Sequence, residues 1–181
     1  MPWTNGAFTV YHGCDEKSAR DIKANGVDLN QCRPRTDFGV GFYTTTNRHQ
    51  AENWANTRVR RMGRKGRHAV ATLLTLEVDR TALSACRVMC FVTEGWKSGV
   101  PTVQSDYWQF ILHCRYGGSN HQLRPGINSN YDVVFGPVSL YPQVLTVQNC
   151  DQISFHSTPA LLATKVVSII SASSVTAGLF P

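Results

Sequence analysis

The chain has 181 residues, 42% of them hydrophobic and 10% aromatic, which supports one packed domain and excludes a disordered tail. Lys and Arg number 18 against 12 Asp and Glu, a formal net charge of +6. A basic surface admits nucleic acid, a nucleotide or an anionic membrane as partner, but says nothing about the fold.

Phe8 to His12 is rich in β-formers and reads as a first strand. Asp15 to Ala24 reads as a helix, with acids in its first turn, Ile22 facing inward and Gly26 just past its end as a stop. A turn-rich stretch, Asn30 to Arg35, leads to Gly39 and Gly41, and Phe42 to Thr45 is expected as a second strand. Asn47 is placed to cap the helix that follows, in which Ala51, Trp54, Ala55 and Val59 are spaced as one buried face. Val70, Leu73, Leu74, Leu76 and Val78 make His68 to Val78 a long strand, and Arg87 to Val92 is another. Asp106 to Tyr116 carries Tyr107, Phe110, Ile111 and Cys114 at helical spacing and stops at Gly117-Gly118. Tyr131 to Val138 is an apolar strand with Pro137 near its end, and Gln152 to His156 is a short strand. Ser157-Thr158-Pro159 begins a helix, and Val166 to Ile170 forms the last strand. Short strands mixed with a few helices, without a repeat or a low-complexity linker, predict a single α+β domain over residues 1–181 with a mixed or antiparallel sheet.

The six cysteines, Cys14, Cys32, Cys86, Cys90, Cys114 and Cys150, contain no CxxC pair. Several lie in apolar runs such as Val88-Met89-Cys90-Phe91, so reduced, mostly buried thiols and a cytoplasmic setting are expected. Met1 to Gly6 has neither a charged n-region nor a long apolar h-region, so no signal peptide is expected. The tail from Val166 to Phe180 is interrupted by Ser168, Ser171, Ser173, Ser174 and Thr176 and is too short and polar to span a bilayer, so no membrane partner is expected. Cys86, Cys90, His113 and Cys114 match no usual zinc spacing, and no metal is expected. No Walker sequence, GxSxG elbow or GxGxxG fingerprint is present, which argues against the common nucleotide and hydrolase folds.

Two segments carry chemistry. Tyr11-His12-Gly13 ends the first strand, where glycine lets backbone approach a bound group and an imidazole can donate to a ribose hydroxyl; a surface or core histidine is the plainer alternative. Asp37-Phe38-Gly39-Val40-Gly41-Phe42-Tyr43-Thr44-Thr45 sets two glycines two apart before two adjacent aromatics on a strand. Adjacent strand residues face opposite sides, so of Phe42 and Tyr43 one enters the core and the other is free to stack on a flat heteroaromatic ring. The alternative is a glycine-rich hairpin with ordinary core aromatics.

That second segment, followed by Gln50-Ala51-Glu52-Asn53-Trp54-Ala55, resembles the DUF3990 family, a branch of the ADP-ribosyltransferase-like superfamily. Tyr11-His12-Gly13 fits the family's first strand, Tyr131-Asp132-Val133-Val134-Phe135-Gly136-Pro137-Val138 a later one, and Asp151-Gln152-Ile153-Ser154-Phe155-His156 the strand after that, so the likeness runs in order from Tyr11 to Leu162. It implies two small packed β-sheets with flanking helices and a cleft for NAD⁺, used as co-substrate. It implies that His12 holds the ribose next to nicotinamide, that Gly13 offers backbone groups to the carboxamide, and that Tyr43 stacks on the nicotinamide ring. Phe38, Gly39, Gly41 and Thr44 join the binding segment, and Arg33 and Arg35 precede it in order to meet the pyrophosphate. Where the superfamily usually has a catalytic Glu, this chain has Gln152. A carboxylate there holds the ribose 2′-hydroxyl, stabilises the oxocarbenium-like sugar and helps deprotonate the acceptor, whereas an amide accepts a hydrogen bond but is a poor base. Three outcomes follow: an acceptor that needs no base, a substitute carboxylate such as Asp151 or Asp132, or NAD⁺ binding with little turnover.

Arg58, Arg60, Arg61, Arg64, Lys65 and Arg67 form a basic cluster that suits a phosphate backbone or, equally, a solvated helix end. The expected function is mono-ADP-ribosyl transfer from NAD⁺ to a macromolecular acceptor, protein or nucleic acid. The alternatives are an NAD⁺ glycohydrolase and a non-catalytic module that binds nucleic acid or a protein partner. The resembling family often occurs in toxin or effector settings.

Overall fold

A computed structural model describes residues 6–91, 105–118, 121, 130–173 and 176–181 of the chain. Met1 to Asn5, Val92 and Ser174, on which expectations above bear, lie outside them. The elements run β1 (Phe8–Asp15), α1 (Glu16–Asn25), a 3-10 turn (Leu29–Gln31), β2 (Phe42–Thr44), α2 (Arg48–Gly63), β3 (Ala71–Val78), α3 (Arg80–Leu83), β4 (Val88–Cys90), α4 (Ser105–Arg115), β5 (Val133–Ser139), β6 (Thr146–Phe155), α5 (Thr158–Leu162) and β7 (Thr164–Ser171). They form a mixed α+β structure with two small sheets. The described residues group into two compact units, one of residues 1–28, 44–83 and 162–181, the other of residues 29–43 and 84–161.

The first unit is built on the sheet β1-β3-β7, antiparallel throughout, with Phe8 opposite Val78 and Asp15 opposite Ala71. Strand alternation sends Tyr11 and Gly13 to one face, with Ala71 and Leu73, and Val10, His12 and Cys14 to the other, with Leu74 and Leu76. Helix α2 covers the first face. Its Ala51, Ala55 and Val59, four apart, pack with Ala71, Leu73 and Phe180 in one buried cluster. Trp54, expected on that face, is instead 49% exposed, because the stripe at intervals of four already fills the contact. Small residues bring α2 close, and a Cβ on Gly13 would lie 1.9 Å from the carbonyl oxygen of Ala51. Caps fix both helix starts: Asp15 accepts from Ser18 N at 3.1 Å, and Asn47 Oδ1 from Gln50 N at 3.1 Å. Helix α3 is an addition to the elements expected from sequence; Asp79 initiates it by accepting from the backbone of Thr81 and Ala82.

The second unit carries the sheet β2-β6-β5-β4, with β5 antiparallel to β6 and β4 parallel to β5. Its core joins Phe38 to Tyr107, Phe110, Ile111 and Cys114 of α4 and to Val134 of β5. Tyr107, fully buried, satisfies its hydroxyl on Pro137 O at 2.9 Å. Strand β6 starts six residues before the expected Gln152, since Thr146 pairs with Ser139 across a register shift.

None of the six cysteines is in a disulfide, but only Cys14 and Cys114 are buried, and Cys90 is exposed against expectation. Burial pushes the Cys14 and Cys114 thiols up to about 12, so both are protonated packing groups. No helix among the described residues is long and apolar enough to cross a membrane.

Candidate functional site

The Thr36–Gly39 turn of the second unit anchors two of the expected site residues. The Tyr43 hydroxyl accepts from Phe38 N at 2.8 Å and lies 2.8 Å from both Thr36 Oγ1 and Gly39 O. Burial pushes this hydroxyl far above the usual tyrosine range, so it is a fixed hydrogen-bonding group and not an acid. Tyr43 is half-buried and its ring stacks on Phe38 at 6.4 Å, while Phe42 is buried, as alternation along β2 requires. Phe38, expected to touch the ligand, is instead fully buried among Phe91, Tyr107 and Phe110 and supports Tyr43 from within. Gly39 turns the chain with φ +81°, a left-handed conformation that favours glycine. Gly41 makes room for a ring, since a Cβ there would lie 2.7 Å from His156.

Asp37, in sequence no more than the start of the motif, is the centre of a buried network. Its side chain is 4% exposed and ion-pairs with Arg115, whose Nε donates to Oδ1 at 2.9 Å. Ser139 Oγ donates to Oδ1 at 2.7 Å, and Ser139 N to Oδ2 at 2.9 Å. Gln152 Nε2 donates to Oδ2 at 2.8 Å and to Pro137 O at 2.9 Å, so Gln152 is buried and tied to Asp37. Tyr43 and Gln152 are therefore fastened to neighbouring residues of one turn. Asp132, one suggested substitute carboxylate, is engaged by Arg87 N at 2.8 Å, and Asp151 is half-buried on β6. Arg33 and Arg35 are exposed, and Arg35 adopts φ 59° while its carbonyl accepts from Arg115 Nη1 at 3.3 Å.

Two histidines brace the glycine-rich segment from its other side. His121 Nδ1 accepts from Tyr131 N at 3.0 Å, so the proton of the neutral ring sits on Nε2, 3.0 Å from Phe38 O. His156 Nδ1 lies 2.7 Å from Val40 O, which only accepts, so Nδ1 is protonated and Nε2 accepts a hydrogen bond from the Ser154 hydroxyl at 2.7 Å. Burial and the nearby His121 push His156 down to about 4. Between that value and the 6.5 of a free histidine, the unfolded chain binds the proton more readily, so stability falls as pH drops from 6.5 to 4. At ~1.4 kcal/mol per pKa unit the loss is about 3 kcal/mol. Chemical denaturation across pH 4 to 7 should show this acid limb, and His156→Asn should flatten it; an unchanged limb in the variant contradicts the assignment.

His12, Gly13 and Thr44 belong to the first unit. Thr44 is buried, and His12 is half-buried on the sheet face opposite α2. Tyr11 turns its N–H and C=O away from β3, to Thr45 O at 2.8 Å and Thr45 N at 2.9 Å. Two residues on, Gly13 has the same orientation, and the Tyr11–Thr45 bridge is isolated. Among the described residues no backbone group therefore pairs with the Gly13 N–H and C=O, which remain as a donor and an acceptor side by side on the strand edge.

The basic cluster divides. Arg58 Nε donates to Asp15 at 2.6 Å and its Nη2 to Ser18 Oγ at 3.1 Å, so it locks α2 to the start of α1 and is not a free phosphate ligand. Arg60, Arg61, Arg64, Lys65 and Arg67 are exposed, and none forms an ion pair among the described residues.

Fold and site thus define a mixed α+β protein with two small sheets and a glycine-rich turn that immobilises a tyrosine and a glutamine. Residues 8–140 match the family described as Protein of unknown function (DUF3990), and the chain belongs to that family. The match ends before β6, so Gln152 and His156 lie beyond it. No curated protein matches the chain.

Proposed function

We propose that the chain is a mono-ADP-ribosyltransferase that binds NAD⁺, cleaves its nicotinamide–ribose bond and passes ADP-ribose to a macromolecular acceptor. The observation that carries this reading is the Gly13 donor–acceptor pair, open on the strand edge next to His12. A primary carboxamide has the complementary acceptor and donor, so Gly13 is suited to hold nicotinamide by two backbone bonds. His12 then donates to the adjoining ribose. Tyr43, its hydroxyl fully engaged, contributes its ring as a stacking surface that loses little entropy on binding. In the reaction the C1′–N bond breaks, its electron pair leaves with neutral nicotinamide, the acceptor bonds to C1′, and the acceptor's proton passes to solvent. The ordered likeness of the His12, Tyr43 and Gln152 segments to ADP-ribosyltransferases supports the same roles.

Calorimetric titration with NAD⁺ tests the site. Wild type should bind, and Tyr43→Leu should lose roughly tenfold in affinity with the lost stacking. His12→Ala should also bind more weakly. Absence of NAD⁺ binding by the wild type refutes the reading. A second reading, a polyanion-binding module, is favoured by the five exposed cations from Arg60 to Arg67, none of them in an ion pair among the described residues. Salt-sensitive binding of single-stranded or duplex nucleic acid with no affinity for NAD⁺ would establish that reading instead.

A further inference from the structure

We infer that Asp37 is a positioning residue that fixes residue 152 as a neutral hydrogen-bond acceptor and bars a carboxylate from its place. The amide orientation is decided by its surroundings. Asp37 Oδ2 at 2.8 Å and Pro137 O at 2.9 Å both only accept, so the Gln152 nitrogen has to face them. Asp37 cannot turn to suit another partner, because Arg115 and both donors of Ser139 hold its two oxygens. The two amide hydrogens are thereby used, and Gln152 Oε1 takes part in none of these bonds. Among the described residues the only sealed side-chain polar atom without a partner is Thr146 Oγ1, so Gln152 Oε1 still reaches the surface. A glutamate in this place would set a carboxylate oxygen against Asp37 Oδ2 and a carbonyl, an arrangement that holds only while the new carboxyl keeps a proton.

The departure from glutamate is therefore part of the architecture of this unit. On the ADP-ribosyl transfer reading, on which this consequence rests, Gln152 Oε1 accepts from a ribose hydroxyl without exchanging a proton. The acceptor substrate is then a group nucleophilic enough to react without a base at this position.

Thermal melting of wild type, Gln152→Glu and the double variant Asp37→Asn with Gln152→Glu, at pH 5 to 9, tests the assignment without NAD⁺. Asp37 raises the pKa of the introduced carboxyl above that of a free glutamate, so the single variant is close to wild type at low pH and loses stability as pH rises through the raised value. A fall in melting temperature of roughly 5 °C relative to wild type between pH 5 and pH 8 is expected, and it should be clearly smaller in the double variant, where only burial and Pro137 O still oppose the carboxylate, whatever that variant's absolute stability. A Gln152→Glu profile parallel to wild type overturns the proposal. So does a Gln152→Glu enzyme that releases nicotinamide faster than wild type at any of these pH values. If the pH-dependent loss appears and no variant acts on NAD⁺, Asp37 keeps its positioning role and the transfer reading falls.

Discussion

Replacing Asp37 with alanine is expected to destabilise the protein by about 3–5 kcal/mol, the range found when one member of a buried ion pair is removed. Three partners lose their acceptor together. Arg115, with a side chain 31% exposed, can swing partly into water, but the Ser139 N–H and the Gln152 amide are buried and cannot. Each unmet buried donor costs ~1–3 kcal/mol, so the loss of two sets the scale even if the ion pair itself contributes little. Urea denaturation measures the change, and a loss below about 1 kcal/mol would show that Asp37 is not the centre of this network. Asp37→Asn, which keeps shape and one carbonyl oxygen, should lie between the two.

Gly13→Ala is expected to cost on the order of 3 kcal/mol or more, at the upper end of overpacking effects. The new methyl would lie 1.9 Å from Ala51 O, 2.8 Å from Ala55 N and 2.9 Å from Ala51 C. All three belong to helix backbone, which no rotamer change can move aside. Helix α2 would have to lift from β1 and open the cluster of Ala51, Ala55, Val59, Ala71, Leu73 and Phe180. Truncating the helix side does not relieve this clash, since the obstacle is not a side chain. Chemical denaturation of Gly13→Ala beside Gly6→Ala, whose Cβ would meet nothing within 4 Å, separates close packing from a general effect of removing glycine. Equal stability of the two variants would contradict this account of Gly13.

What the sequence discloses is what short-range chemistry decides. Asn47 is legible as a cap because its partner lies three residues away, whereas Asp15, read as the first residue of its helix, is itself the cap. The stripe Ala51, Ala55, Val59 is legible from helical period, and Ala71 to Val78 from its run of apolar residues. Trp54 misleads, because helical spacing admits it to the buried face and only the closeness of β1 shows that small residues are needed there. The polar start of β6, Thr146 to Asp151, hides a strand whose pairing is decided by β5. Asp37 shows the same limit at the candidate site. Its partners Arg115, Ser139 and Gln152 stand 78, 102 and 115 positions away, and nothing in the local sequence marks a carboxylate that will be buried. Gly13 reads in sequence as a backbone group for a ligand, and its second duty, packing under α2, depends on a helix that begins 35 residues later. Arg58 reads as one member of a phosphate-binding cluster, and only its bond to Asp15 separates it from its exposed neighbours.

The most direct measurement follows free nicotinamide released from NAD⁺ by the purified chain, with and without cell lysate as a source of acceptor. The account predicts release by the wild type, with ADP-ribose carried onto a macromolecule when lysate is present, and a loss on the order of a hundredfold in His12→Ala. Failure of the wild type to release nicotinamide between pH 5 and 9, in either condition, would contradict it.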